Sequence, residues 1–341
     1  MDGSEITSPR HLKDADQEEI PLRPKRLRDF VGQDKFKGNL AVFISASAER
    51  GETLDHVFLS GPPGLGKTTL AYIIANELGF NIRATSAPAL EKTGDLAAML
   101  TSMEERSVFF IDEIHRLRPA VEEILYSAME DFEIDVVIGQ GPGARTLKIP
   151  IPPFTLVGAT TKAGLVSSPL YSRFGITWRL DFYSRDDIKA IIRRSARILD
   201  VKIDEPSVEL LSQCSRGTPR VANRLLRRMR DFAQVWSNGT IARPVLERGL
   251  AALDIDSSGL NKLDREILKT IIQKYRGGPV GSETLAISVG ESVDTLEDIH
   301  EPYLIQRGYL QRTPRGRTVT PKAYQQLGLR FEENEDQKLL F

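Results

Sequence analysis

The sequence predicts an α/β domain on a parallel sheet, then a small all-helical domain, then a C-terminal winged helix. Three observations carry this. Short apolar runs alternate with helical patterns from residue 22 to about 183. After Tyr183 the strand signals stop and four helical runs follow. From residue 263 onward the pattern becomes three helices and a two-stranded hairpin.

In the first region, 57–59, 108–111 and 154–157 are apolar and bounded by turn residues, as buried strands of a parallel sheet are. Helical patterns at 68–78, 94–103 and 120–129 lie between them. Strand–helix alternation implies a doubly wound sheet. Runs at 185–199, 207–214, 219–236 and 244–253 read as the helical domain, and 254–259 as a linker. The helix at 263–274 carries Leu263, Ile267, Leu268 and Ile271 on one face. Gly277-Gly278-Pro279 ends it; helices at 282–288 and 294–306 and strands at 309–312 and 318–320 complete the winged helix. The predicted divisions are a tail at 1–20, domains at 21–184, 185–256 and 257–331, and an acidic tail at 332–341.

Composition narrows the class. At 341 residues the chain is too long for one ordinary core. No apolar run approaches the roughly 20 residues of a membrane span, and the first 20 residues lack the apolar centre of a signal peptide. Cys214 is the only cysteine, and the histidines at 11, 56, 115 and 300 are scattered, so neither a disulfide nor a metal cluster is expected. A cytoplasmic protein follows. Net charge is −1, so any nucleic-acid site has to be a local patch.

The first strand runs into Gly61-Pro62-Pro63-Gly64-Leu65-Gly66-Lys67-Thr68 and then a helix, the Walker A pattern in its strand–loop–helix setting. Gly64 and Gly66 let backbone N–H groups curl round an anion at the helix N-terminus. Lys67 reaches the β- and γ-phosphates of ATP, the Thr68 hydroxyl takes Mg²⁺, and Thr69 lies near the α-phosphate. Taken alone, such a run is also a glycine-rich turn. The second strand ends in Asp112-Glu113, placing a carboxylate at the ligand crevice. Asp112 holds Mg²⁺ through water and Glu113 orients the attacking water; alone, the pair reads as a helix cap. The third strand ends in Gly158-Ala159-Thr160-Thr161, where one threonine meets the γ-phosphate or the water. Thr161 is favoured, with Thr160 left open. Arg173, in Pro169–Gly175, and Arg220, in Gly217–Arg220, each sit at a chain turn.

These motifs resemble the AAA+ ATPases and, more closely, the RuvB family of Holliday-junction branch-migration motors. The likeness covers residues of about 20–330. It rests on Arg23-Pro24-Lys25 before Asp29-Phe30-Val31-Gly32-Gln33, on 61–70, 111–117, 158–161, 172–176, 217–220 and 301–304, and above all on Leu310-Gln311-Arg312-Thr313-Pro314-Arg315-Gly316-Arg317. The resemblance implies a homohexameric, ATP-driven motor that translocates duplex DNA at Holliday junctions in recombination and repair, working with RuvA and RuvC. It implies Arg173 as an arginine finger entering the neighbouring subunit, and Arg220 as a second sensor on the γ-phosphate. It also implies adenine contacts from Leu22 and Arg23, Tyr183 at the hinge side, and nucleotide contacts from Glu130, Asp131 and Phe132. Arg312 and Arg317 match DNA-contacting wing positions. Two departures stand out. Tyr171 replaces a usual arginine, leaving Arg173 the only finger candidate, and Ser292-Val293 replace a commonly basic site at the head of the third winged-helix helix.

From Ile305 to Lys322 the charged residues are Arg307, Arg312, Arg315, Arg317 and Lys322, a basic patch on the wing. The third helix carries Asp294, Glu297, Asp298 and Glu301, which repel phosphates. Backbone binding through the wing without base readout is therefore expected. An AAA+ clamp loader or initiator is the alternative, and the wing argues against it. A protein unfoldase would carry an aromatic pore loop, and 84–95 contains no aromatic residue. A non-enzymatic regulator would not keep Lys67, Asp112, Glu113 and Arg173. Residues 133–150 read as a β-hairpin in which Ile134, Val136 and Ile138 face Leu147 and Ile149 around a tip at 139–143. Its apolar side either packs on its own domain or, as the resemblance implies, docks on RuvA.

Overall fold

The computed structural model describes residues 22–138 and 145–331. The predicted tails at 1–20 and 332–341 and the predicted hairpin tip lie outside them, as do the side chains of Val136 and Ile138. The chain divides between Asp187 and Ile188 into two compact units. Among the described residues no helix is long and apolar enough to cross a membrane.

The first unit opens with α1 (Asp34–Arg50), then β1 (Val57–Ser60), α2 (Lys67–Leu78), β2 (Ile82–Ser86), α3 (Thr93–Thr101), β3 (Ser107–Asp112) and α4 (Pro119–Glu130). A hairpin of β4 (Glu133–Ile138) and β5 (Arg145–Pro150) follows, then β6 (Phe154–Thr160), α5 (Ser168–Tyr171) and β7 (Ile176–Arg179). The five-stranded sheet is parallel with order β2-β3-β6-β1-β7. The strands read from the sequence are the three inner ones. β1 and β6 are buried throughout and β3 nearly so, which demands continuous apolar runs. β2 and β7 are the edges, partly exposed, and their Ile-Arg-Ala-Thr-Ser and Ile-Thr-Trp-Arg give no such run. Nor does α1 stand out in the sequence. Its buried stripe of Phe36, Leu40, Ile44 and Ser47 supplies one residue per turn among alanines and serines, a faint period.

The hairpin forms as predicted, with Ile134 opposite Ile149 and Val136 opposite Leu147. Its base belongs to the domain core. Ile134 is fully buried and Ile149 packs beside it. Leu147, further out, is 49% exposed. The apolar face therefore splits between own-domain packing at the base and an exposed position nearer the tip.

The second unit carries α6 (Arg185–Ile198, which starts at the end of the first), β8 (Lys202–Ile203), α7 (Glu205–Cys214), α8 (Pro219–Trp236), β9 (Thr240–Ile241) and α9 (Arg243–Ala252). The short β8 and β9 pair in parallel. The winged helix follows: α10 (Lys262–Tyr275), α11 (Ser282–Val289), α12 (Val293–Thr295) running through a π turn (Leu296–His300) into α13 (Glu301–Gln306), then β10 (Leu310–Thr313), β11 (Gly316–Val319) and α14 (Pro321–Gln326). Ile267, Leu268 and Ile271 are fully buried in its core, with Leu263 packed at the margin.

One buried polar cluster ties these helices together. Asp264 is fully buried and closes a capping box with Asn261. His300 Nδ1, also fully buried, donates to its Oδ1 at 2.6 Å, and Arg216 pairs with its Oδ2. The Arg216 guanidinium also lies 4.9 Å from the centre of the Tyr303 ring. Burial pushes the Asp264 carboxyl up, but Arg216 and His300 outweigh it and hold it below the ordinary carboxylate value. We expect Asp264→Asn to cost about 3–5 kcal/mol by leaving buried charge unpaired. Because the folded pKa is depressed, the wild-type contribution is present above the unfolded value near 3.8 and is lost as pH falls through the folded one. Acid unfolding of the two proteins, followed by circular dichroism, checks both statements: the gap between them should close at low pH.

Candidate active site

The sheet order positions the site. β6 lies between β1 and β3, so the phosphate loop after β1, Asp112-Glu113 at the end of β3 and Thr160-Thr161 at the end of β6 emerge side by side. These are carboxyl ends of parallel strands, where open α/β sheets take ligands.

The phosphate loop needs its glycines sterically. At Gly61, φ is +136° and an added Cβ would stand 2.5 Å from the Leu180 carbonyl oxygen. At Gly66, φ is +101° and the Phe30 ring would be 3.1 Å away. Gly64 also has positive φ, at +79°. Lys67 is 7% exposed and its ammonium donates to the carbonyls of Gly61 (2.7 Å) and Pro62 (3.0 Å), so the cation is held over the loop. Thr68 and Thr69 follow in the first turn of α2. Thr68 Oγ1 donates to Asp112 Oδ2 at 3.5 Å, which brings together the two groups expected to hold a metal. Asp112 Oδ1 accepts the Glu113 N–H at 3.0 Å. A hydroxyl and a carboxylate at this spacing beside a phosphate loop suit a hard oxygen-seeking cation.

Glu113 has φ +50°, a conformation that costs a non-glycine residue energy and turns its side chain back toward β6. Its Oε2 accepts from Thr161 Oγ1 at 3.2 Å and from the Thr161 N–H at 3.3 Å. Of the two threonines left open by the sequence, Thr161 is therefore the one beside Glu113. Thr160 is fully buried and meets His115 Nδ1 at 2.8 Å. His115 is therefore part of the site, two residues after the acid pair, and its spacing from the other histidines gave no sign of it. His56 is different: its Nδ1 accepts the Leu156 N–H and its Nε2 donates to the Met129 carbonyl, a satisfied core histidine whose pKa burial pushes down.

Leu22 is buried and Arg23 half-buried. Tyr183 is buried beside the loop; its hydroxyl donates to the Leu65 carbonyl at 3.0 Å, and burial raises its pKa. The predicted finger and the predicted nucleotide contacts at 130–132 divide. Arg173 Nη2 pairs with Glu130 at 3.0 Å, Nη1 donates to the Pro169 carbonyl, and the guanidinium lies 4.6 Å from the centre of the Tyr126 ring. Arg173 and Glu130 thus share one patch. Asp131 is exposed at the end of α4, whereas the Phe132 ring packs edge-on against Phe154 in the core. Arg220 is the second residue of α8.

Three family models match along the chain. The "Holliday junction DNA helicase RuvB P-loop domain" covers residues 22–180, the "RuvB AAA lid domain" 183–256 and the "RuvB C-terminal winged helix domain" 257–328. This chain belongs to the RuvB family. Among curated relatives, the Holliday junction branch migration complex subunit RuvB of Treponema denticola is 65% identical over 92% of this chain and 92% of its own. That of Treponema pallidum is 60% identical over 93% and 91%. Among solved structures, the Thermotoga maritima RuvB Holliday junction branch migration motor superposes with a TM-score of 0.84 at 53% identity, covering 92% of this chain and all of that one. The chain is accordingly a P-loop ATPase with the predicted architecture of parallel-sheet domain, helical lid and winged helix.

The RuvB wing has a feature the sequence did not show. Arg312 and Arg317 are cross-strand partners on β10 and β11, and both bond the fully buried Glu301. Arg317 also reaches Glu297 at 2.5 Å and is only 13% exposed; Arg312 is 48% exposed. The expectation that the third helix repels phosphates thus needs amendment for two of its four carboxylates, because Glu297 and Glu301 face the wing arginines. Burial opposes the Arg317 charge, but these carboxylates hold its pKa above the ordinary value. Arg315 stands exposed in the two-residue tip.

Proposed function

We propose that the chain is an ATP-driven ring motor that moves duplex DNA through Holliday junctions. The observation that carries the reading is the convergence of Lys67, Asp112, Glu113 and Thr161 at adjacent strand ends, with Glu113 bonded to Thr161. Leu22, Arg23 and Tyr183 enclose the base side of ATP. Backbone N–H groups of the loop and Lys67 hold the phosphates, with Thr69 near the α-phosphate. Thr68, and Asp112 through water, would hold Mg²⁺, which neutralises charge on the phosphate oxygens when bound. Glu113 takes the proton of the attacking water, Thr161 fixes Glu113, and Arg220 senses the γ-phosphate. Glu130, Asp131 and Phe132 belong to the nucleotide contacts, and Arg173 serves the next subunit's site in a homohexamer. The exposed part of the 133–150 hairpin docks on RuvA, RuvC joins the assembly at the junction, and the complex works in the cytoplasm.

Arg312 and Arg317 form the wing's phosphate-binding face, Arg312 as the more exposed. The test is DNA binding and ATP turnover together. Four-way DNA should stimulate hydrolysis more than linear duplex, and sliding clamps or peptides should not. Arg312→Ala should lower the slope of log affinity against log salt by about 0.9 and weaken duplexes of unrelated sequence alike. Loss confined to one sequence would show base readout, and stimulation by clamps would favour a loader.

A further inference from the structure

Glu113 is clamped from one side only. Its Oε2 receives the Thr161 hydroxyl and N–H and lies 3.2 Å from His115 Nδ1. Among the described residues none bonds Oε1, and the Glu113 side chain is 33% exposed. His115 itself is fixed. It belongs to a 3-10 turn, Ile114–Arg116, in which Arg116 N–H bonds the Glu113 carbonyl at 2.9 Å. Ile114 anchors that turn in the core so closely that a Cβ at Gly158 would come within 2.8 Å of it. Thr160, fully buried, holds the ring at 2.8 Å and accepts the Lys162 N–H at 2.9 Å.

The neighbours decide the tautomer. A lone pair on Nδ1 would face a carboxylate oxygen at 3.2 Å and repel it, whereas an N–H there is attracted both to Glu113 Oε2 and to Thr160 Oγ1. We propose that His115 is a positioning residue for hydrolysis: its Nδ1–H and Thr161 together hold Glu113 Oε2, leaving Oε1 aimed at the attacking water. This rests on Glu113 acting as the base proposed above. Fixing one oxygen lowers the freedom of a partly exposed side chain before reaction, a benefit that appears in turnover and not in nucleotide binding.

Three substitutions in the full chain test it. His115→Phe keeps a ring without a donor, His115→Gln moves the donor to the Nε2 position, and His115→Asn places an amide N–H near Nδ1. With saturating four-way DNA, Phe and Gln should lower kcat by about tenfold to a hundredfold, the order expected for losing one close N–H contact to a charged group. KM for ATP and affinity for a fluorescent ADP should stay within about twofold. Asn should recover most of kcat. In a Glu113→Gln background, His115→Gln should cause no further loss. If Phe does not fold, Gln against Asn decides. Wild-type kcat in Gln, an Asn variant as slow as Gln, or a fall in nucleotide affinity that accounts for the rate overturns the proposal. If Glu113→Gln itself hydrolyses ATP normally, the base assignment fails; if it is inactive while His115→Gln is normal, only the role of His115 fails.

Discussion

Glu113→Gln should bind ATP normally and hydrolyse it about 10²–10⁴-fold more slowly, the usual contribution of a general base. The amide keeps the shape of the carboxylate, still accepts one hydrogen bond from Thr161, and cannot take a proton from water. The backbone of residue 113 is held at φ +50° by the turn that follows it, so the substitution leaves the local fold in place. Lys67→Ala should fail differently. Lys67 places a nearly buried ammonium against the Gly61 and Pro62 carbonyls; on the proposed reading, its removal takes away the charge that meets the β- and γ-phosphates. Binding itself should weaken, and hydrolysis with it. Equilibrium binding of a fluorescent ATP analogue, run beside single-turnover hydrolysis, separates the two. A Glu113→Gln chain with near wild-type single-turnover rate would mean that another group prepares the water.

How much of this was legible in the sequence depended on whether each constraint is local. The phosphate loop, the acid pair and the inner strands are written in consecutive residues, because a tight turn and a doubly covered strand each restrict a short stretch of chain. Thr161 was readable as one of two candidates, and choosing between them required the direction each side chain takes at the end of β6. His115 was invisible for the opposite reason. Its importance comes from Thr160, 45 residues away, and from a 3-10 turn whose period a helix or strand template does not register. The edge strands β2 and β7 and the thin apolar stripe of α1 were missed because partial exposure removes the apolar contrast that such reading relies on.

The wing shows the same limit in charge. As a string, residues 305–322 are uniformly basic. In three dimensions Arg317 spends its guanidinium on Glu297 and Glu301, and Arg312 shares Glu301. A buried carboxylate between two cross-strand arginines stiffens the hairpin and fixes the direction in which the Arg312 guanidinium is presented. It also reduces the net positive charge the wing presents, so counting arginines overstates its phosphate affinity. Long-range pairing of this kind turns a charge run into a partly structural element.

The largest effect should come from Arg173. A phosphoryl transition state spreads charge over its equatorial oxygens, and an arginine finger is worth about 10³–10⁵ in turnover. Arg173 rests on its own Glu130 and Tyr126, with Nε buried and lacking an acceptor among the described residues. That is a guanidinium held ready with part of its bonding capacity unused. If it serves the neighbouring site, Arg173→Ala should bind ATP and still hydrolyse it no faster than the finger-free rate. Mixing then distinguishes the two geometries. Lys67→Ala chains carry an intact finger and Arg173→Ala chains an intact phosphate loop. In a head-to-tail ring mixed at equal amounts, about one interface in four should join a sound loop to a sound finger. ATPase should rise from near zero toward about a quarter of wild type if sites fire independently, and less if several must fire together. An arginine acting on its own subunit's nucleotide predicts no recovery at any ratio. Mass measurement of the mixed rings confirms that both chains are present, and a flat activity curve in such rings would remove Arg173 from the neighbouring site.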